Sequence, residues 1–445
     1  MTRLCPTLFA ALLLCACSTT ADKEVLDVTT TAEVANQDRV VPSSHYQAEL
    51  VHTLLMGVGD NAEVVKVIPE TTRALLVSSK ARKVTLFDFA SGQLVVVREA
   101  ALFPADASES ELTHIAVSGD GSWAVCTRTF IEVDGGGAQV DCGGELLFLD
   151  VTDTEEFGTV LAQVPVGPMP DAVAISHDGL WVASANERDG PDAWGKCEVA
   201  GEEASLSILD VSGGPAAAIE VHRITMIDGA TGPREPESIV FGADNDLIAA
   251  TLQDSHELLL VHRSALVEPA LDSSFPAVTI VRLPDDSVGA GPWPDGIGRF
   301  EVDGTEYFAI AGEWNDTFTI VDGTGAVAAS VALVPADIPG TLPRVLDEGS
   351  PRFSPDSVAT FTWEGRAHVA FTLRHSGAVA VYDVSDPTAP LFATAIGIGQ
   401  NETGGQDEDG STVRPEGLSA TANGQFIVVA NEGESSVSLL QLLSP

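Results

Sequence analysis

Apolar residues in this chain occur in short runs separated by turns, and one unit of this pattern recurs. The unit is an apolar strand, a turn with Asp, Asn or Gly, a second apolar strand, a loop and a third strand. Two copies show it best, from Pro170 to Glu187 and from Pro415 to Glu432. Turns such as HDG and ANG supply the positive φ that a tight hairpin requires. We find no convincing amphipathic helix after the N-terminal segment, so the pattern predicts an all-β protein.

The number of repeats predicts the architecture. Weaker copies begin near Ala62, Thr113, Pro236, Pro294 and Pro355. A fourth strand follows most units, while the last unit lacks one, and Gln47 to Leu55 looks like these fourth strands. We therefore predict a seven-bladed β-propeller of four-stranded antiparallel blades, with the N-terminal strand completing the last blade and closing the ring. An open solenoid or two sandwiches are the alternatives.

The repeats resemble those of a known superfamily. The runs "PDAV…VASANERDG…SLSILDVS" and "PEGL…VVANE…SVSLLQL" are similar to YVTN-type, lactonase-like and WD40-like β-propellers, and closer still to choice-of-anchor I propellers of bacterial surfaces. The resemblance covers most of residues 47–443 and implies the fold. It implies little about chemistry, because most members of that family have no assigned activity.

The first residues have the features of a targeting signal. Arg3 precedes a short apolar stretch, which ends in Leu14-Cys15-Ala16-Cys17. The stretch is too short to span a bilayer and matches a secretory signal. The tetrapeptide resembles a bacterial lipobox, which implies lipidation of Cys17 and an outer membrane lipoprotein. We expect a signal peptide in residues 1–16, a flexible tether in 17–45 and the propeller in 46–445; a plain secretory signal is the alternative.

Charge excludes some partners. Asp and Glu number 65 against 22 Lys and Arg, giving a formal net charge of -43. A nucleic acid binder needs a basic surface, so we expect no nucleic acid partner. Electrostatic adhesion to anionic lipid is excluded on the same ground, which leaves the lipid anchor as the predicted membrane contact. We expect a monomer.

Acidic residues recur where the strands of successive units should meet. In a blade, the innermost strand begins on the face where the second strand ends, because the two are antiparallel. Both places carry acids, which predicts a carboxylate-rich channel mouth. Such oxygen ligands suit Ca²⁺ or Mg²⁺, whereas the alternative is that each acid caps backbone N–H groups at its own turn. The candidate metal ligands are Asp171, Glu187, Glu237, Asp254, Asp295, Glu313, Asp356, Glu416 and Glu432.

Other polar and aromatic residues fall on the same face. Loops on a rigid scaffold are common binding sites, although the aromatic residues could equally pack loop against ring. The candidate ligand-binding residues are Asn186, Asn431, Arg374, His375, Trp194, Trp293 and Trp314. Cys142 and Cys197 lie in long loops of adjacent units, and an oxidising cell envelope permits a disulfide between them. Cys126 lies within a strand.

The sequence contains no common catalytic motif, including GxSxG, HExxH and Walker loops. The leading hypothesis is a non-enzymatic envelope lipoprotein whose loop-rich acidic face binds a protein, glycan or small ligand, with a Ca²⁺ or Mg²⁺ ion as the candidate cofactor. The alternative is a metal-dependent hydrolase, such as a lactonase or phosphoester hydrolase, acting at the channel mouth.

Overall fold

The computed structural model describes most of the chain beyond residue 46. The described residues are 47–57, 59–103, 110–135, 138–188, 197, 199, 203–227, 229, 232–266, 270–273, 278–286, 289–333, 346–347, 350–351, 353–398 and 413–443. Within them, no helix has both the length and the apolar character needed to cross a membrane. The predicted signal peptide, the tether, Cys17 and Trp194 lie outside the described residues.

Seven antiparallel sheets of four strands form a ring, which confirms the predicted fold. Strands are given from the innermost to the outermost. Blade 1 comprises Ala62–Val67, Arg73–Ser78, Lys83–Asp88 and Val95–Ala101. Blade 2 comprises Ser110–Val117, Trp123–Val133, Gln139–Asp150 and Val160–Val166. Blade 3 comprises Pro170–Ile175, Trp181–Asn186, Ser205–Asp210 and Ile219–Thr225. Blade 4 comprises Pro236–Phe241, Leu247–Leu252, Glu257–His262 and Thr279–Arg282.

The remaining blades complete the ring. Blade 5 comprises Pro294–Val302, Thr305–Gly312, Thr317–Asp322 and Val327–Ala332. Blade 6 comprises Pro355–Trp363, Arg366–Leu373, Ala378–Asp383 and Leu391–Gly397. Blade 7 comprises Pro415–Ala420, Phe426–Asn431, Ser436–Leu443 and the N-terminal strand Gln47–Leu55.

The N-terminal strand closes the ring in the last blade, as predicted. Gln47 pairs with Leu443 and Leu55 pairs with Ser436, antiparallel and with one bulge between them. The first strand of the chain therefore occupies the edge that the last blade would otherwise expose, and no open sheet edge interrupts the ring there.

A few elements lie outside the four-strand pattern. Ala270–Ser273 pairs in parallel with the outer strand of blade 3, adding a fifth strand. Leu346–Asp347 and Ser350–Pro351 form a two-stranded hairpin before blade 6. Short 3₁₀ helices span Pro215–Ala217, Arg263–Ala265 and Arg374–Ser376.

The core lies between neighbouring blades. Each sheet packs its apolar side chains against the next, so successive blades share clusters of Val, Leu, Ile and Phe. Between blades 5 and 6, Phe318 contacts Phe371 and Tyr382, with both pairs of ring centroids 4.7 Å apart. This rigid packing fixes the innermost strands around a central channel, where the polar residues converge.

Candidate functional site: an acidic central cavity

A β-bulge directs an acid toward the channel in most blades. In blades 4 to 7 the innermost strand begins with a proline paired to the second strand, and the register then shifts by one residue at the acid that follows. Blades 1 and 3 have the same shift at Glu63 and Asp171. A bulge leaves the extra residue out of the ladder and re-aims its side chain. This repeated bulge explains why the acids meet at the axis.

The turn before each innermost strand is also repeated. Residues at this position adopt a left-handed backbone in five blades, namely Asn61, Met169, Trp293, Ser354 and Arg414. Their carbonyl oxygens accept a hydrogen bond from the residue that follows the second strand, as when Glu313 N donates to Trp293 O at 3.1 Å. Non-glycine residues in this conformation carry strain that the surroundings must offset. The repeated turn thereby fixes the strand entrance and the second-strand end together.

These elements enclose a cavity of about 480 Å³ at the ring centre. Innermost strands approach closely here: a Cβ at Gly296 would lie 2.5 Å from the carbonyl oxygen of Asp356. Three cationic side chains, Lys80, Arg374 and Arg414, also line the cavity. Ten carboxylates line it, namely Glu63, Glu111, Asp171, Glu187, Glu237, Asp295, Glu313, Asp356, Glu416 and Glu432.

The acids divide into two groups by their partners. Asp171, Glu237 and Asp295, from blades 3, 4 and 5, form what we call the unpaired arc. Within the described part of the chain these three accept no hydrogen bond and have no cation within 4 Å, and the buried Glu237 Oε2 is without a hydrogen-bond partner. They do not cap strand turns. Carboxylates this close repel one another unless a proton or a cation intervenes.

Two arginines form ion pairs with the acids on the opposite side, which we call the paired arc. It consists of Glu313, Asp356, Glu416 and Glu432 with Arg374 and Arg414. Arg374 lies 3.2 Å from Glu313, 3.8 Å from Asp356 and 3.4 Å from Glu416. Arg414 lies 3.2 Å from Glu432 and 3.8 Å from Glu416. The Arg374 guanidinium thus lies within ion-pair distance of acids from three successive blades.

Burial raises the pKa of many of these acids. It brings the pKa of Asp171 to about 7. Burial, reinforced by Glu432 and Glu313 and opposed by Arg374, raises the pKa of Glu416 to about 8. The pKa values of Glu63, Glu237, Asp295 and Asp356 also lie well above their usual range, from burial first and neighbouring acids second. Burial therefore favours the protonated form of these acids over the form that an exposed carboxyl would have at the same pH.

Three acids have metal-binding geometry. Asp171, Glu187 and Glu237 each offer one oxygen within 4.8 Å of the others. Ca²⁺ binds oxygens at about 2.3–2.6 Å, so ligands on opposite sides of it lie about 5 Å apart. Oxygen atoms this close could serve together as ligands of one hard divalent cation.

Blade 2 has a different composition in the cavity wall. Leu112 and Thr113 occupy the proline and acid positions, and Thr113 Oγ1 donates to Pro170 O at 2.7 Å. The next residue, His114, accepts a hydrogen bond from Val173 N at its Nδ1. Burial, with a contribution from Lys66, holds the pKa of His114 well below its usual value. Burial lowers the pKa of Lys66 to about 8.

Several candidate residues lie away from the cavity wall. Gln253, not Asp254, occupies the blade 4 position that Glu187 has in blade 3, since Gln253 N donates to Glu235 O as Glu187 N donates to Met169 O. Asp254 and His375 are half-buried and do not line the cavity.

The two candidate asparagines are buried between strands. Asn186 Nδ2 donates to Ser205 and Ser207 at 3.1 and 3.0 Å. Asn431 Nδ2 donates to Ser436 and Ser438 at 2.9 Å each. Both side chains tie the second strand to the third instead of reaching the cavity.

The tryptophans of blade 5 stand beside the cavity. Trp293 and Trp314 stack with ring centroids 5.1 Å apart, and Trp314 is 46% exposed. Neither lines the cavity itself. Trp314 directly follows Glu313, and the same position in blade 1 is Lys80, which does line it.

A disulfide joins Cys142 of blade 2 to Cys197 of the blade 3 insertion. Both cysteines pack in one buried cluster with Ile131 and Met169. Met169 also lines the cavity and directly precedes Pro170 and Asp171. Met169 therefore packs against the disulfide and lies two residues before Asp171 of the unpaired arc. Cys126 is buried and unpaired.

Some cavity residues were absent from the candidate list, namely Glu63, Lys80, Glu111, His114, Gln253 and Arg414. Arg414 could have been identified from its place directly before Pro415, because the residue at this place in the repeat has a left-handed backbone. Glu111 gave no signal, because blade 2 lacks the proline and acid that mark the strand start elsewhere.

Fold and cavity together define a seven-bladed β-propeller with an acidic centre. No protein-family model and no curated protein matches the chain. Solved structures match the fold. A streptogramin B lyase has 14% identity and a TM-score of 0.53, covering 89% of this chain and 98% of its own. The virginiamycin B lyase of Staphylococcus aureus has 12% identity and a TM-score of 0.52, covering 89% and 100%. A chain of the Mitotic Checkpoint Complex has 10% identity and a TM-score of 0.54, covering 91% and 98%. At this identity the likeness extends to the fold alone.

Proposed function

We propose that this protein is a non-enzymatic binding propeller whose central cavity takes a positively charged ligand. One observation carries the proposal: ten carboxylates and only three cationic side chains line the cavity, and no described cation lies within 4 Å of the acids of the unpaired arc. Buried like charges are relieved by a cation, by an arginine or by protons. Arginines form ion pairs with the acids of the paired arc. In the unpaired arc, the repulsion between carboxylates must therefore be relieved by protons or by a bound cation.

Protons and the cation compete for the same acids. The pKa of Asp171 is about 7, so this carboxyl is largely protonated in mildly acidic solution and ionised above neutrality. A cation must displace that proton, and its apparent affinity therefore rises with pH. We propose Ca²⁺ as the inorganic ligand, held by Asp171, Glu187 and Glu237, because Ca²⁺ accepts carboxylate oxygens in flexible geometry, whereas Mg²⁺ demands near-ideal octahedral geometry.

Calorimetric titration with CaCl₂ at pH 8.0 and 5.5 tests the proposal. We expect binding at pH 8.0 that weakens about tenfold or more at pH 5.5, since the ligands protonate. Asp171→Asn with Glu237→Gln removes two of the three acids and should abolish the heat. The matched control, Asp244→Asn with Asp246→Asn, changes the other described group with metal-ligand spacing, which lies outside the cavity, and should retain the heat. Absence of calcium binding to the unmodified protein at millimolar concentration would remove the calcium proposal.

A metal-dependent hydrolase is the second candidate, and the carboxylate trio in a cavity is the observation that favours it. Such an enzyme would use the ion to polarise a carbonyl or phosphoryl oxygen. Assays with lactone and phosphoester substrates would then show turnover that a chelator abolishes. Glu187→Gln with Glu416→Gln should lower that turnover severely. Unchanged turnover in this double variant would remove both acids from the mechanism.

We further propose that the protein is a lipoprotein of the bacterial outer membrane, related to the YVTN-type and choice-of-anchor I propellers. Gln47 pairs with Leu443, and Leu55 pairs with Ser436 on the face where the acids lie. The first described strand, Gln47–Leu55, therefore begins on the face opposite the acids. Labelling cells with an alkynyl palmitate tests the anchor: the unmodified protein should be labelled and Cys17→Ser should not.

A further inference from the structure

We propose that the blade 5 side of the cavity, with the stacked Trp293 and Trp314, is a subsite for a guanidinium group. The proposal rests on the proposed function, because it names an organic cation that the acidic cavity would take. It adds a second subsite beside the calcium trio of blades 3 and 4.

The aromatic pair flanks two cavity acids in the chain. Trp293 is two residues before Asp295, and Trp314 directly follows Glu313. The backbone joins both places, because Trp293 O accepts from Glu313 N at 3.1 Å and Pro292 O accepts from Trp314 N at 3.1 Å. Packing alone would favour burial of two stacked indoles, yet Trp314, next in the chain to the cavity residue Glu313, is 46% exposed. An exposed aromatic face next to carboxylates is suited to an organic cation.

The acids on this side have unused acceptor capacity. Asp295 has no hydrogen bond or ion pair among the described residues. In the next blade, Asp356 lines the cavity with only 4% of its surface exposed. Its Oδ2 accepts no hydrogen bond from a described residue, and the nearest cation, Arg374 Nη1, is 3.8 Å away. A buried carboxylate oxygen directed into a cavity without a donor marks a place for a ligand that brings donors.

Guanidinium fits both features better than an ammonium or a metal ion. Its planar face stacks on indole, and its edge donates paired hydrogen bonds to carboxylate oxygens. A metal ion gains little from the tryptophans. The cavity, at about 480 Å³, is within the range that encloses small organic ligands. The natural ligand would be a small guanidine compound or an arginine side chain of a peptide.

Calorimetric titration with butylguanidinium, in calcium-loaded protein at pH 8.0, tests the inference, and neutral butylurea of nearly the same shape is the ligand control. Asp295→Asn should weaken butylguanidinium binding about thirtyfold, since a charge-assisted pair is lost. Trp314→Ala should weaken it about tenfold, and Trp314→Phe less, because an aromatic face remains. Trp181→Phe, which changes a tryptophan packed against Arg263, should have no effect. Calcium affinity should be unchanged in the Trp314 variants.

The outcomes separate this inference from the proposed function. Calcium binding with no butylguanidinium binding overturns the guanidinium subsite and leaves the function standing. Equal binding of butylurea, or an unchanged affinity in Trp314→Ala, also overturns the subsite. Failure of both cations to bind overturns both proposals. A final titration uses acetyl-Gly-Arg-Gly-amide. If this peptide binds as tightly as butylguanidinium, the natural ligand is a peptide arginine. If it binds much more weakly, the natural ligand is a small guanidine compound.

Discussion

The two sides of the acidic ring have the same strand geometry and opposite electrostatics. In blades 5 to 7, Arg374 and Arg414 lie between the carboxylates and form ion pairs with them. In blades 3 to 5, Asp171, Glu237 and Asp295 face the same cavity without a described cationic partner. Structure alone does not require acids at these positions, since blade 2 has Thr113 at the equivalent place. This difference is the basis of our proposal that the unpaired arc binds a cation.

The two arcs also differ in what supports them. Ion pairs support the paired arc, whereas the Cys142–Cys197 disulfide supports the unpaired arc through Met169. Ion pairs respond to pH, and a disulfide responds to reductant. The two sides should therefore fail under different conditions, and the following variants test this comparison.

Removing the disulfide should have the largest effect. The bridge spans 55 residues, for which chain entropy predicts about 4 kcal/mol of stabilisation. We expect Cys142→Ser with Cys197→Ser to lower the free energy of unfolding by about that amount, measured by urea denaturation. Cys126→Ala is the control, because it retains the bridge and should keep the response to reductant. Calcium affinity should also fall in the double variant; unchanged stability and affinity would show that the bridge does not support the unpaired arc.

Arg374→Ala should have the next largest effect and act on the other arc. The substitution leaves Glu313, Asp356 and Glu416 without their shared cation, and breaking a buried pair costs about 3 kcal/mol. The loss should be greatest at pH 8 and smaller at pH 5, where the carboxyls can protonate. Urea denaturation at both pH values measures it. Arg98→Ala, which breaks a surface pair with Asp153, should lower stability by less than about 1 kcal/mol. Equal losses in the two variants would contradict a special role for Arg374.

Asp171→Asn should have a smaller effect of opposite sign. The folded pKa of Asp171 is about 7 and its ordinary value is 3.8, so the folded state holds a proton that the unfolded state releases between these pH values. The free energy of unfolding therefore falls as pH rises through this window. In calcium-free solution at pH 8, we expect Asp171→Asn to be more stable than the unmodified protein by about 2 kcal/mol, and near pH 4 the two should be equal.

Asp120→Asn is the control, because its effect on the free energy of unfolding at pH 8 should be opposite in sign to that of Asp171→Asn. Hydrogen bonds from Ser122 and Ser118 lower the pKa of Asp120, so its stabilising contribution is present at neutral pH and is lost as pH falls. This variant should be less stable than the unmodified protein at pH 8. A destabilised Asp171→Asn at pH 8 would contradict unrelieved repulsion in the unpaired arc.

The repeat pattern in the sequence was sufficient to predict the ring and its closure. Proline followed by an acid marks the innermost strand in five blades, and the apolar run Gln47–Leu55 matches the fourth strands. Where the marker is absent, prediction was incomplete: in blade 2 the cavity receives Glu111, which was not a candidate.

Individual side-chain directions could not be read from the repeat. Gln253 and Asp254 are adjacent polar residues, and a one-residue change of register decides which of them faces the cavity. Asn186 and Glu187 are likewise adjacent, and successive side chains point to opposite sides. The sequence also gave no indication that Arg374 would contact acids of three blades, because that arrangement depends on the spacing between sheets.

Asn431→Ala should have the smallest effect and separate the scaffold from the site. Asn431 lies directly before Glu432 of the paired arc, but its side chain is buried and donates to Ser436 and Ser438. Loss of these hydrogen bonds should lower the free energy of unfolding by about 1 kcal/mol. Calcium and butylguanidinium affinities should stay unchanged, since the side chain does not line the cavity. Urea denaturation and calorimetry on the same preparation measure both quantities. A lowered affinity with unchanged stability would instead place Asn431 in the site, and the division between scaffold and ligand residues would then have to be redrawn within blade 7.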